Sequence, residues 1–118
     1  HGETIAEPVT PGTNLAALHA EVDILAHPGL ITAEEASLAC EKGIFLEITT
    51  RRGHSLTNGH VLKTARLCGA KLVLNTDTHS PADLVSRDQA HNIARGSGMT
   101  EDEVAAMFKN SAYLAEKV

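Results

Sequence analysis

Apolar positions along the chain fall into short continuous runs that alternate with stretches of helical spacing. Residues 22–26 (VDILA), 44–49 (IFLEIT) and 71–75 (KLVLN) are runs of the first kind and predict three buried strands. Between them the spacing lengthens. Thr32 with Glu35 three residues on has the form of a capping box, Ala36, Ala39 and Cys40 follow at helical spacing, and Gly43 ends the helix. Residues 58–68 predict a helix with Val61, Ala65 and Cys68 on one face, Lys63 and Arg66 on another, and Gly69 as its stop. Residues 86–95 predict a further helix. Thr100 and Glu103 open a second capping box, Val104, Ala105 and Phe108 form the stripe behind it, and the helix is expected to run on to Val118. With a helix ahead of the first strand, the order is α-β-α-β-α-β-α-α. Such alternation predicts an α/β fold with a parallel sheet and right-handed crossovers. Three strands are few for a self-contained α/β domain, so an incomplete chain is expected.

Composition narrows the function. A chain of 118 residues with 42% hydrophobic residues has room for one packed domain. Ten basic against fifteen acidic residues give a net charge of −5, which argues against a surface built on phosphate contacts to nucleic acid. Phe45, Phe108 and Tyr113 are the whole aromatic set, too few for a platform that stacks bases. The apolar runs are far too short for a membrane span, and no signal peptide is expected ahead of the domain. Cys40 and Cys68 make no disulfide scaffold; both are expected to be inert buried thiols in a reducing, cytoplasmic setting.

The candidate chemistry lies just past the predicted strands, where parallel α/β folds gather their functional groups. His27 follows the first strand in Ala26-His27-Pro28-Gly29. Arg51, Arg52 and His54 follow the second, and Asp77 and His79 follow the third in Asn75-Thr76-Asp77-Thr78-His79. Imidazole and carboxylate donors at three consecutive strand ends suit a borderline divalent ion, and His1 is a fourth candidate. Arg52 and His54 fit either anion binding or a merely polar loop. Seven histidines are many for this length, but His19 and His91 read as surface residues and His60 as a helix-face residue. Asp23 is expected to bond a neighbouring helix terminus. Glu47, in mid-strand, requires a partner if its face is the interior, because an unpaired buried charge is costly.

The series His1-Gly2-Glu3-Thr4, Glu7-Pro8-Val9, Pro11-Gly12-Thr13-Asn14, Asp23-Ile24-Leu25-Ala26-His27-Pro28-Gly29, Leu46-Glu47-Ile48-Thr49, Arg52-Gly53-His54, Asn58-Gly59-His60 and Asn75-Thr76-Asp77-Thr78-His79 resembles the PHP (polymerase and histidinol phosphatase) family. The likeness spans essentially the whole chain and rests on the order of individually weak motifs. It implies a distorted, seven-stranded (β/α) barrel of TIM-like form, with up to three divalent metal ions at its C-terminal rim, and a phosphoesterase activity. It implies His1, His27, Asp77 and His79 as metal ligands. Glu3, Arg52, His54 and Asn58 match positions lining the same mouth. The family's opening His-x-His motif is missing, so residues 1–118 are expected to be the C-terminal part of such a domain, a partial barrel without its first strands and with little or no activity alone.

In the whole enzyme, Asp77 is expected to bridge ions or orient the nucleophile, and Arg52 or His54 to hold the phosphate of a phosphorylated small molecule or nucleotide. Zinc, manganese and iron all suit the donors. Exposed half-barrel edges are expected to drive homo-oligomer formation. Two other readings stand beside this one: a non-catalytic PHP module of a larger protein such as a bacterial DNA polymerase, and a related metal-dependent amidohydrolase.

Overall fold

A computed structural model describes residues 1–117. The elements follow in the order α1 (Thr13–His19), β1 (Ile24–Leu25), α2 (Ala33–Lys42), β2 (Phe45–Thr49), α3 (Asn58–Cys68), β3 (Leu72–Asn75), α4 (Arg87–Gly96) and α5 (Glu101–Lys117). Short 3₁₀ turns at His54–Thr57 and Pro81–Asp83 occupy the loops after β2 and β3. Val118 lies outside the described residues.

Local chemistry sets the helix limits. The Thr32 hydroxyl accepts from the Glu35 amide at 3.1 Å while the Glu35 carboxylate accepts from the Thr32 amide at 2.9 Å, closing the predicted capping box. Thr100 and Glu103 repeat it at 3.2 and 2.9 Å. Gly43 and Gly69 end α2 and α3 with φ of 71° and 76°, a conformation that costs any residue with a Cβ.

The strands lie in the order β1-β2-β3 and are all parallel, with Leu25 beside Leu46 and Leu46 beside Leu72. Central β2 is buried along its whole length. Its alternation divides the chemistry. Leu46 and Ile48 join the apolar core with Leu18, Leu25, Ile31, Val61, Leu62, Val104 and Met107. Phe45, Glu47 and Thr49 face the other way, and Glu47 and Thr49 register with Val73 and Asn75. The three-stranded sheet stays open and does not close into a barrel.

Gly2 donates to Ala26 O at 2.8 Å, and Glu3 bridges Gly29 in parallel, so residues 2 and 3 lie against the chain just past the end of β1. A Cβ on Gly29, where φ is +65°, would sit 1.9 Å from Glu3 O, and one on Gly2 would sit 2.8 Å from Pro28 Cα. Only glycine lets these segments meet so closely. On the far edge, Asn110 of α5 donates to Leu72 O at 2.9 Å, and the Ser111 hydroxyl accepts from Leu74 N at 3.2 Å. Helix side chains thus satisfy ladder groups that a fourth strand would otherwise take.

Two expectations change. The first strand shortens from 22–26 to Ile24–Leu25: only these two register with β2, Asp23 lends it a carbonyl alone, accepting from Phe45 N at 2.9 Å, and Val22 remains exposed. Asp23 precedes the strand and, as expected, meets a neighbouring helix terminus: its carboxylate lies 3.4 Å from the ammonium of Lys117, the last residue of α5. Cys40 is exposed and Cys68 half-buried, so neither is a fully buried thiol. Among the described residues, no helix is long and apolar enough to cross a membrane.

Candidate metal centre

His27, His54 and Asp77 each present one ligand atom to a common point, with the three atoms within 4.8 Å of one another. They come from the exits of three adjacent parallel strands. His27 stands two residues past β1, Asp77 two past β3, and His54 opens the 3₁₀ turn after β2. His27 and Asp77 are the only non-glycine residues with positive φ among the described residues, at 30° and 49°. Such backbone is disfavoured for a residue with a Cβ and persists only where the surroundings hold it. In both cases the kink turns the side chain off the line of its strand.

The ligand orientations are set by buried hydrogen bonds. Glu47, 3% exposed, uses one carboxylate oxygen to accept from His27 N at 2.8 Å and from His27 Nδ1 at 2.9 Å. Its other oxygen accepts from Asn75 Nδ2 at 2.9 Å. The sequence demands a partner for Glu47, and here it has three donors. A carboxylate only accepts, so the His27 proton sits on Nδ1 and the lone pair on Nε2 faces the cluster. His54 is also buried. Its Nδ1 lies 2.6 Å from the Thr4 hydroxyl, and its Nε2 lies 3.7 Å from both Asp77 Oδ2 and Glu7 Oε2. Burial pushes the His54 pKa below its usual value, and the neighbouring His27 adds to this, against the opposing pull of Asp77 and Glu7. The two rings stack at 4.1 Å with 7° between their planes. At His54, burial and the neighbouring His27 both favour the neutral imidazole, which is the form that binds a metal.

The other candidate residues take different positions. The His1 ring stacks on His27 at 5.2 Å, with Nδ1 3.1 Å from Gly2 O, on the exposed side of the three-residue cluster. His79 is largely exposed, and its Nδ1 lies 2.6 Å from Asp77 O. Arg51 Nη1, which only donates, lies 3.0 Å from the same nitrogen, so the two contacts ask opposite roles of Nδ1. Exposed Arg52 lines a cavity of about 450 Å³ with Thr50, Ser55 and Gln89. Two residues expected at the mouth serve the backbone instead. Glu3 accepts from Asn14 N at 2.9 Å at the start of α1, and Asn58 pairs with Thr49 N and O at 3.1 and 2.8 Å. Thr4, Arg51 and Asp83 belong to the site's surroundings; the sequence puts Arg51 just past a strand, but gives none of the three its part. Their parts depend on the path of turns.

Two imidazoles and one carboxylate match a familiar catalytic donor set, three protein ligands with a position left open. Ligand atoms about 2.1 Å from a common ion lie roughly 3.4 Å apart in a tetrahedral site, so the cluster needs only a small contraction to hold one. The donors fit a divalent ion without selecting zinc, manganese or iron.

No protein-family model and no solved structure matches the chain. An uncharacterized protein of Methanocaldococcus jannaschii is 50% identical over 105 residues, covering 88% of this chain and 48% of that protein. Two proteins named "Probable phosphatase", from a Thermoanaerobacter species and from Thermoanaerobacter pseudethanolicus, are each 31% identical over 109 residues, covering 81% of this chain and 44% of theirs. The chain spans about half the length of the curated relatives it matches. It is a small α/β unit with an open parallel sheet and a His/His/Asp cluster able to coordinate a metal ion.

Proposed function

We propose that this chain supplies part of the active centre of a metal-dependent phosphoesterase of the PHP kind. The observation that carries the reading is the convergence of His27, His54 and Asp77 from three neighbouring strand exits. The two relatives named as phosphatases support the reaction class, and the order of motifs supports the family. Residues 1–118 would then form the C-terminal part of the domain, with further strands and ligands belonging to the rest of a longer protein. His1 and His79, at the edge of the cluster, become ligands of the completed site.

A divalent ion held by His27, His54 and Asp77 would supply a Lewis acid for a phosphoryl oxygen and would lower the pKa of water at the site. The chain's own residues do the rest. His27 and His54 offer neutral nitrogens, Glu47 fixes the tautomer of His27, and Asp77 contributes the negative charge. Exposed Arg52, on the loop between β2 and His54, lines a cavity with Arg51 and Asp83, and its planar fork suits the oxygens of a phosphate ester.

The test measures Zn²⁺ or Mn²⁺ per chain on protein purified without chelator, alongside His27→Ala and Asp77→Asn. About one ion per chain, lost in both variants, is the expected result. Turnover of phosphate esters is then compared with turnover of amides in the full-length parent. Absence of metal in the full-length protein, or hydrolysis confined to amides, overturns the reading.

A further inference from the structure

Asp77 has to be held in a backbone conformation that its Cβ disfavours, with φ at 49°. Residues 76–80 contribute no regular secondary structure to the task. The support comes across the sheet. Arg51, just past β2, sends Nη1 to Asp77 O at 2.9 Å and to Asp83 Oδ2 at 2.6 Å. Asp83 Oδ2 also accepts from His79 N at 2.9 Å and from Ser80 N at 3.1 Å. One guanidinium and one carboxylate therefore tie the exit of β2 to both ends of the loop that carries Asp77. These donors hold the Asp83 carboxyl below the usual carboxylate range, with the His79 amide contributing most. Arg52, next in sequence, has no carboxylate partner among the described residues. The two adjacent arginines thus divide their work. Arg51 is spent on the chain itself, and Arg52 is left for a ligand.

We propose that Arg51 and Asp83 form a positioning pair that fixes the Asp77 backbone and aims its carboxylate at His54 and His27. The pair touches no reacting atom; besides Asp77 it meets His79, whose Nδ1 lies 3.0 Å from Arg51 Nη1 and whose amide donates to Asp83. This rests on the metal-centre reading above, and the sign of one effect separates positioning from simple electrostatics. Removing a positive charge beside a cation site strengthens cation binding by Coulomb's law alone. Removing a clamp weakens it.

The experiment compares wild type with Arg51→Met, Arg51→Lys, Asp83→Ala and the double variant Arg51→Met/Asp83→Ala, with Lys63→Met as a surface control. Zn²⁺ affinity is read by competition with a chromophoric chelator. Amide hydrogen exchange at residues 77–80 is read in metal-free protein, with circular dichroism to confirm folding. Arg51→Met is expected to lower Zn²⁺ affinity about 10- to 100-fold, the usual effect of losing a group that orients a ligand. The double variant should fall little further, because both members serve one contact. Exchange at His79 and Ser80 should quicken in either single variant. Arg51→Lys should recover only part of the affinity, since a point charge replaces the fork. Unchanged or tighter Zn²⁺ binding by Arg51→Met, or unchanged exchange, overturns the proposal. Failure of wild type to bind Zn²⁺ overturns the metal reading and the purpose of the pair, while the exchange arm still reports whether the pair holds the loop.

Discussion

Replacing Glu47 by Gln changes one atom and tests how the site is built. The buried carboxylate accepts three hydrogen bonds, from His27 N, His27 Nδ1 and Asn75 Nδ2, at 2.8, 2.9 and 2.9 Å. An amide at this position keeps one acceptor oxygen for His27 but turns an NH₂ group toward the Asn75 NH₂. Asn75 must then flip to offer its oxygen. Bonds to a charged acceptor contribute about 1.5–3 kcal/mol and neutral ones about 0.5–1.5 kcal/mol, so each His27 bond weakens by about 1 kcal/mol. Relief from burying a charge returns part of this. The net expected loss is about 1–2 kcal/mol of stability, which in a domain this small is a fall of roughly 4–16 °C in melting temperature. Zn²⁺ affinity should fall about tenfold as the His27 ring loses its anchor. Glu47→Ala strands all three donors and should cost about 3–5 kcal/mol. Urea unfolding followed by circular dichroism and a chelator competition read both quantities. A Gln variant as stable as wild type and with the same Zn²⁺ affinity would show that Glu47 does not hold His27 in place.

Glu103 is held at about 2, below its ordinary 4.5, first by the Arg66 side chain and then by the Thr100 amide. Its folded-state value is the depressed one, so its stabilisation is complete above pH 4.5 and is lost as pH falls toward 2. A shift of that size corresponds to about 3 kcal/mol for a buried group. The side chain is 30% exposed, however, and solvent screening reduces this to about 1 kcal/mol. Glu103→Gln should flatten the acid limb of a stability-against-pH curve between pH 5 and 2, and an unaltered limb refutes the assignment. Gly29→Ala should destabilise by about 2–3 kcal/mol, because the new Cβ meets Glu3 backbone and the φ is unfavourable. A melting temperature within 2 °C of wild type would show that the contact between residues 3 and 29 is readily given up.

Helix limits were legible because they depend on neighbours three or four residues away. Thr32 with Glu35, Thr100 with Glu103, Gly43 and Gly69 carry their capping chemistry within one turn. Strand ends are less local. Whether Val22 and Asp23 belong to a strand depends on the reach of β2, and only Ile24 and Leu25 register with it, Asp23 giving its carbonyl alone to Phe45 N. Burial of Cys40 likewise depended on what packs over α2, and nothing in its helical spacing shows that the position stays open.

The same division runs through the site. His27 and Asp77 follow strands directly, so a strand and its direction suffice to place them on the rim. His54 has equal standing in the cluster, but it is reached only after Gly53, at φ 88°, has turned the chain into the 3₁₀ turn. Arg51 and Arg52 are chemically identical neighbours lining one cavity, and one residue of register decides which guanidinium is tied down at Asp77 O and Asp83 and which has no carboxylate partner among the described residues. A strand repeats every two residues, so its pattern can be read in sequence. A turn does not repeat, and its geometry comes from contacts such as Arg51 with Asp83, thirty-two positions apart. Metal-ligand chemistry was therefore readable from residue types at strand ends, while the orientation of those ligands rests on Glu47, Thr4 and Arg51, whose roles exist only once the loops have closed around them.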